Sequence, residues 1–144
     1  RLVERAFPNG VRLLASPAAG IPFGPALRLS FSFQVEPFLD ETLREWRVTT
    51  RRYDYTLTAP GDPRRLVFGW HWHPASRRSD VTYPHIHVPT AEAFSTRHIP
   101  TGRVALEDVI MFGFDDLGVT PTYDGARDAV AEVAERHKRY RTWS

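Results

Sequence analysis

Residues 27–35, Leu-Arg-Leu-Ser-Phe-Ser-Phe-Gln-Val, alternate apolar and polar side chains without a break. Successive side chains of a β-strand point to opposite faces, so the odd-numbered apolar residues share one face and the even-numbered polar residues share the other. This pattern predicts a half-buried strand with one polar face. The preceding residues 16–25 are rich in proline, glycine and alanine, which indicates a loop.

Further strands are expected on the C-terminal side of this segment. Residues 44–59 are strand-like, but their apolar side chains change from even to odd positions, so we expect a β-bulge or a turn near residues 49–52. The turn at residues 59–63 leads at hairpin distance into a strand at residues 65–73. A short strand is predicted at residues 82–88.

Helical spacing of apolar residues replaces the strand pattern in the C-terminal third of the chain. One helix is predicted from Leu106 to Leu117, with Gly118 placed to end it. A second helix is predicted over about residues 124–140. Strands followed by helices predict a single α+β domain over residues 1–144, in which an antiparallel meander is followed by two C-terminal helices that pack on one face of the sheet.

The composition is that of one globular domain, with 144 residues of which 42% are hydrophobic and 25% charged. The chain has no cysteine, which excludes disulfides, thiolate zinc sites, iron–sulfur clusters and a cysteine nucleophile. The apolar run at residues 109–114 is far shorter than the roughly 20 residues of a membrane span. We therefore expect a cytoplasmic protein without a membrane partner or a signal peptide. Because the sequence begins at Arg1, we expect the natural N-terminus to lie upstream.

The net charge of +2 conceals two segments of opposite charge. Residues 44–103 carry ten arginines and five acidic residues, whereas residues 104–128 carry six acidic residues and one arginine. Every basic residue except Lys138 is arginine, whose planar guanidinium suits phosphate, although a GC-rich genome gives the same bias. The basic segment favours RNA or DNA as a partner, and the acidic segment could dock a basic protein.

Five of the six histidines form a cluster in the sequence: His71, His73, His85, His87 and His98. Period-2 spacing puts His71 and His73 on one face of their strand, and His85 and His87 on one face of the next strand. In both strands the histidines lie opposite the apolar side chains. If the two strands pair antiparallel, four imidazoles converge on one polar patch.

The first interpretation of the cluster is a metal site. Neutral imidazole is a ligand for zinc, copper, nickel and iron, so this interpretation implies a divalent transition metal as cofactor. The carboxylate ligand would be Asp80 or Glu92. Against this interpretation, no acidic residue close in sequence completes a pattern of two histidines and a carboxylate, and the glutamate of a cupin motif is absent. The candidate ligands are His71, His73, His85 and His87.

The second interpretation is metal-free acid–base catalysis on a phosphodiester, in which His71 or His73 pairs with His85 or His87 as base and acid. Arginine would hold the phosphate. The candidate catalytic residues are His71, His73, His85, His87 and His98, and the candidate phosphate-binding residues are Arg52, Arg77, Arg78 and Arg103. The third interpretation is structural, with histidine and tryptophan paving a partly exposed face of the sheet.

The segment His98–Arg103 has two interpretations. It is either a loop that contacts phosphate or a rigid connection to the following helix. His137 lies on the apolar stripe of the second predicted helix, so we expect it in the core or at an interface.

The order of motifs within residues 50–117 resembles small uncharacterised bacterial proteins and, more distantly, the toxin half of certain toxin–antitoxin pairs. The motifs that carry this resemblance are Tyr53-x-Tyr55, His71–Pro74, Pro84–His87 and His98–Val109. Residues 1–43 lie outside it. The resemblance implies a small cytoplasmic α+β protein that acts on nucleic acid or is bound by a neutralising or scaffolding protein.

These observations lead to one expected function and two alternatives. The expectation is a toxin-like or defence-associated bacterial nuclease that cleaves phosphodiesters through histidine and arginine. The first alternative is a noncatalytic adaptor subunit of a larger bacterial assembly. The second alternative is a protein that binds a metal through its histidines.

Overall fold

The structure is a computed structural model that describes residues 2–75, 81–88 and 98–142. Within these residues the strands are β1 (Val3–Ala6), β2 (Arg12–Ala15), β3 (Ile21–Pro22), β4 (Arg28–Asp40), β5 (Glu45–Ala59), β6 (Asp62–Trp72), β7 (His85–His87), β8 (Ile99–Pro100) and β9 (Arg141–Thr142). The helices are α1 (Leu106–Asp115) and α2 (Ala126–Tyr140). The predicted succession of strands and then helices is confirmed.

All the described strands belong to one sheet, in the order β1-β2-β4-β5-β6-β7-β8. Neighbours in this order pair antiparallel, and β3 adds to β4 in the same sense. The short strand β9 is an exception, because it pairs parallel with β5. The predicted α+β fold is therefore confirmed. The loop expected at residues 16–25 is corrected in one respect, since it contains β3.

The long strands β4 and β5 form the centre of the sheet, and their register contains the predicted bulge. Gln34 pairs with Arg52 and Val35 pairs with Thr50, so Arg51 is the extra residue of the bulge and has no opposite residue in the register with β4. One extra residue reverses which positions face the core. This is why the apolar side chains of residues 44–59 change parity.

The apolar face of the sheet packs against the helices. Phe112 of α1 lies edge-on against Phe68 and Trp70, with ring centroids 5.3 and 5.6 Å apart. Burial of each large apolar side chain contributes about 1.5–3 kcal/mol. The core consists of Phe23, Leu29, Phe31, Tyr53, Tyr55, Leu57, Trp70, Trp72, Val109 and Val119. Both helices cover this face, as predicted, because Val133 and His137 of α2 line a cavity with residues of β4 and β5.

The opposite side, which we call the polar face, carries the even-numbered residues of β4. Ser32 pairs with Asp54 on β5, Asp54 pairs with His71 on β6, and His71 pairs with His85 on β7. Paired residues of adjacent strands point to the same side of a sheet. A polar row therefore crosses four strands at this level.

The helices begin and end close to their predicted bounds. α1 begins at Leu106, and the side chain of Asp108 caps this end by accepting a hydrogen bond from the N–H of Ala105. The helix ends at Asp115, two residues before the predicted end. Gly125, with φ of 85°, precedes α2. Neither helix in the described part of the chain is both long and apolar enough to cross a membrane.

Candidate metal centre

The register of β6 and β7 brings the two histidine pairs to the same side of the sheet. His71 lies opposite His85, and Gly69 lies opposite His87. The ring of His71 is 5.7 Å from that of His85 and 5.0 Å from that of His87, measured between centroids. The ring of His73 is 6.0 Å from that of His71. The predicted convergence of four imidazoles on one patch is therefore confirmed.

His98 joins this patch because it directly precedes β8. Ile99 of β8 pairs with Ile86 of β7, so His98 comes beside His87. The centroid of the His98 ring lies 4.7 Å from the centroids of both His85 and His87, which are 5.1 Å from each other. We call His85, His87 and His98 the His triad.

The His triad has the spacing of a metal-ligand set. One ring nitrogen from each histidine lies within 4.8 Å of the others. Nitrogen donors on one zinc ion lie roughly 3 Å apart, since each bond is about 2.0–2.1 Å long. Small side-chain rotations would therefore bring all three nitrogens onto one ion. His85 is buried and His98 is exposed, so the set opens toward solvent at His98.

The hydrogen bond of His85 leaves its other ring nitrogen available as a ligand. The Nδ1 atom of His85 lies 3.0 Å from the carbonyl oxygen of Tyr83. A carbonyl oxygen only accepts, so Nδ1 carries the proton and donates it. Nε2 then bears the lone pair, and the bond to the backbone fixes the ring in this tautomer, as is usual for histidines that bind metals.

The histidines of β7 are held in their neutral form. Burial lowers the pKa of His85. Burial lowers the pKa of His87 to about 4, and the nearby histidines His71, His98 and His85 add to this effect. Neutral imidazole is the form that binds metal ions.

A second group of three ligands lies beside the His triad. The Oδ1 atom of Asp54 is 2.9 Å from Nδ1 of His71 and 2.7 Å from Nε2 of His73. These three residues also offer donor atoms within 4.8 Å of one another. We call them the Asp–His triad.

Arg52 holds the other oxygen of the same carboxylate. Its Nη2 atom donates a hydrogen bond of 3.0 Å to Oδ2 of Asp54. Burial raises the pKa of Asp54, but the hydrogen bonds from His71 and Arg52 lower it by more than burial raises it. The pKa of Asp54 therefore falls to about 2. Asp54 is therefore a carboxylate at any physiological pH.

Asp54 was not predicted as a site residue. The predicted carboxylate ligands, Asp80 and Glu92, both lie outside the described residues. The available signal was parity, because Asp54 is on the polar side between the core residues Tyr53 and Tyr55. Parity gives the face of the sheet but not the partner on the next strand.

The candidate phosphate-binding arginines have different positions. Arg52 is at the polar face through its contact with Asp54. Arg103 lies over the ring of Trp72, 3.9 Å from its centroid, and Trp72 belongs to the core on the other side of the sheet. Arg77 and Arg78 lie outside the described residues.

The segment His98–Arg103 and His137 both have structural contacts. The N–H of Thr101 donates to the carbonyl oxygen of Pro84 at 2.9 Å, which ties the segment to the start of β7. His137 lies between the helices, with Nδ1 3.3 Å from Oε1 of Glu107. His137 was predicted in the core or at an interface, and it lies half-buried at the contact between the two helices.

Comparison of the chain with protein-family models, curated proteins and solved structures gives no match. The resemblance to toxin halves therefore stays a prediction. A function for this chain has to be argued from the two ligand triads and from the charges around them.

Proposed function

We propose that the His triad binds a divalent transition metal and that the chain is a metal-dependent hydrolase. The observation that carries the proposal is the convergence of three imidazoles with donor atoms within 4.8 Å of one another. Three protein ligands leave a tetrahedral zinc ion one position for water, which is the usual arrangement of a catalytic site.

The chemistry of such a site at neutral pH favours hydrolysis. A metal ion lowers the pKa of its bound water to about 7, which supplies hydroxide as a nucleophile. The exposed side of the His triad, at His98, gives a substrate access to this position. The remaining ligands are placed deeper, at the buried His85 and the half-buried His87.

A phosphodiester of RNA or DNA is the substrate that we propose. Residues 44–103 carry a net positive charge, and Arg52 lies at the edge of the site with its side chain 41% exposed. Guanidinium groups stabilise the charge that develops on phosphoryl oxygens. His85, His87 and His98 would hold the ion, which would supply hydroxide by lowering the pKa of a bound water. Attack of this oxygen on phosphorus would break the bond to the leaving oxygen, and the proton released by the water would balance the proton that the leaving oxygen takes up.

Metal-free acid–base catalysis is the second candidate, and the contacts of Asp54 favour it. The carboxylate of Asp54 lies 2.9 Å from a ring nitrogen of His71 and 2.7 Å from one of His73, so it orients both rings and either could act as the acid. His85 or His87, kept neutral by burial, would then be the base. The two candidates differ in one respect, which is whether activity requires a metal ion.

The adaptor alternative has weaker support, because the acidic residues of α1 are largely engaged within the chain. Glu107 contacts His137, Asp108 caps the helix, and Asp115 pairs with Arg127. A surface that docks a basic protein needs charges that are free to pair with it. The same proposal includes a toxin-like or defence-associated role, which rests on the resemblance of residues 50–117 to toxin halves. It also includes a cytoplasmic location, which rests on the absence of cysteine.

Cleavage of labelled single-stranded RNA and DNA, with and without a chelator, tests the proposal. We expect the wild-type protein to cleave one of them, to lose activity with the chelator and to regain it with added zinc, manganese or cobalt. At limiting metal concentration His98→Ala should lower the rate by at least about tenfold, because loss of a ligand weakens metal binding at least as much as loss of a residue that orients one. His137→Ala is the matched control, since it removes a histidine outside the site.

The outcomes separate the candidates. Cleavage that persists in the chelator but is lost in His71→Ala and His73→Ala would support acid–base catalysis and contradict the metal-dependent mechanism. The absence of cleavage of either nucleic acid by a folded, metal-loaded protein would contradict the proposed substrate.

A further inference from the structure

We propose that the Asp–His triad binds a second metal ion beside the ion of the His triad, so that the polar face carries a two-metal site. This inference rests on the proposed function and deepens it. Two ions about 3.5–4 Å apart stabilise the attacking and the leaving oxygens of an in-line displacement at phosphorus. A second ion would therefore favour a phosphodiester as substrate.

The spacing of the donor atoms supports a second ion. Oδ1 of Asp54 lies 2.7 Å from a nitrogen of His73 and 2.9 Å from a nitrogen of His71. Two donors at right angles around an ion, with bonds of about 2.0–2.1 Å, are about 3 Å apart. Both distances from the carboxylate oxygen match this value, and the two histidine donors lie within 4.8 Å of each other. Two histidines and one carboxylate are also a common ligand set for divalent transition metals.

The fixed orientation of the carboxylate also supports a second ion. Asp54 lies on the central strand β5, opposite His71, and Arg52 holds its Oδ2 atom at 3.0 Å. Residues that hydrogen-bond a ligand from behind orient it and strengthen metal binding. Because Arg52 occupies Oδ2, Oδ1 is the oxygen that faces the two histidines.

A glycine makes room for the His71 ring of the Asp–His triad beside the His triad. A Cβ atom on Gly69 would lie 2.6 Å from Nε2 of His71, so only glycine allows the observed position of the ring. In this position the ring of His71 is 5.0 Å from that of His87 and 6.0 Å from that of His73. The two ligand sets are therefore immediate neighbours.

A single ion shared by both groups is the competing arrangement. Nδ1 of His71 contacts Asp54, so Nε2 could join the His triad as a fourth ligand, with Asp54 as its hydrogen-bond partner. In that case His73 has no role in metal binding. The number of ions and the effect of His73→Ala distinguish the two arrangements.

Calorimetric titration of tag-free, metal-stripped protein with Zn²⁺ tests the inference. We expect two equivalents for the wild type and one for His98→Ala, in which the Asp–His triad is intact. We expect one equivalent for Asp54→Asn and for His73→Ala, in which the His triad is intact. Circular dichroism confirms folding, and two different substitutions in the Asp–His triad protect the result against a failure of one variant to fold.

Three outcomes would overturn the inference. One equivalent in the wild type that is lost in His98→Ala and kept in Asp54→Asn and His73→Ala leaves the His-triad ion alone. One equivalent that is lost in His98→Ala and in His71→Ala but kept in His73→Ala shows the shared ion. In both cases the proposed metal-dependent function stands. No binding of Zn²⁺ by the wild type overturns the proposed function as well.

Discussion

Gly69 shows how the absence of a side chain determines the position of a candidate ligand. Its backbone pairs with His87, and the space where a Cβ would lie is filled by Nε2 of His71. A methyl group at residue 69 would displace the end of an imidazole rather than the backbone. The effect of such a change should therefore be local to the site.

We predict that Gly69→Ala weakens metal binding while leaving the fold intact. The His71 ring must shift from its observed position beside Asp54, so we expect at least about tenfold weaker binding of the second Zn²⁺ equivalent, a loss typical of disturbed ligand orientation. The melting temperature should change little. Gly102→Ala is the matched control, because a Cβ there meets no atom within 4 Å. Equal Zn²⁺ binding by both variants would contradict the assigned role of His71.

Tyr53 contributes a buried hydroxyl that anchors the connection to α1. Its side chain is fully buried and stacks on Tyr55, and its hydroxyl accepts a hydrogen bond of 3.1 Å from the N–H of Val104. Tyr53→Phe keeps the stacking but leaves that donor without its partner. We predict a loss of about 1–3 kcal/mol in the free energy of unfolding, measured by urea denaturation. An unchanged stability would show that water replaces the hydroxyl.

At the scale of elements, α1 packs closely on the residues before β4 because it carries a glycine at that contact. A Cβ atom on Gly113 would lie 2.2 Å from Cε1 and Cζ of Phe23, whose ring is buried. Alanine is normally the better helix former by about 1 kcal/mol. Here the collision with a buried aromatic ring outweighs that gain.

We therefore predict that Gly113→Ala destabilises the protein by about 1–3 kcal/mol, the usual cost of overfilling a packed core. Thermal and urea unfolding measure this loss. Phe23→Leu in the same chain should restore part of it, because the smaller side chain leaves room for the added methyl group. A stabilised Gly113→Ala variant would show that α1 does not lie against Phe23.

The elements of the sheet differ in how far the sequence alone predicts them. Alternation at residues 27–35 and the change of parity near residues 49–52 predicted β4, β5 and the bulge, because burial of one face leaves a period of two in the sequence. The short strands β1 to β3 were not predicted. Val3–Ala6 is exposed throughout, so no buried face imposes a pattern on it.

The partner of Asp54 could not be predicted for a different reason. From the turn between Ala59 and Asp62, which pair with each other, a regular hairpin would place Asp54 opposite Val67. Irregularities between Leu57 and Ala59 shift the register, so that Asp54 lies opposite His71. The shift leaves Asp54 on the polar face but changes its cross-strand neighbour from Val67 to His71. The sequence therefore predicted the polar patch of histidines but not the carboxylate beside it.

At the scale of the whole molecule, the contact between the helices makes stability depend on pH. Burial alone would raise the pKa of Glu107, but its hydrogen bond with His137 and the other favourable contacts outweigh burial. The pKa of Glu107 is therefore lowered. A carboxyl group with a lowered pKa in the folded state stabilises that state above the ordinary pKa of glutamate, about 4.3. This stabilisation disappears as the pH falls through the lowered pKa.

We predict that Glu107→Gln reduces the free energy of unfolding by about 1 kcal/mol at pH 6.5. The difference from the wild type should vanish at pH values below the lowered pKa, where Glu107 is protonated and resembles glutamine. Urea denaturation of both proteins across this range measures it. A difference that is constant with pH would mean that the charge of Glu107 makes no contribution.

The face opposite the helices gives the whole molecule its proposed activity. One side of the sheet is covered by α1 and α2, and the other presents five histidines and Asp54. A structural role for the histidines requires only hydrogen bonds, whereas the proposed function requires a metal ion at the His triad. Metal content therefore decides between these interpretations.

Inductively coupled plasma mass spectrometry measures most directly whether the His triad binds a metal ion. The protein should be purified without a tag, incubated with zinc and desalted, in parallel with a His85→Ala, His87→Ala double variant and with His137→Ala. We expect at least one transition-metal ion per chain in the wild type and in His137→Ala, and loss of the His-triad ion in the double variant. A folded wild-type protein without metal, or equal metal in all three proteins, would contradict it.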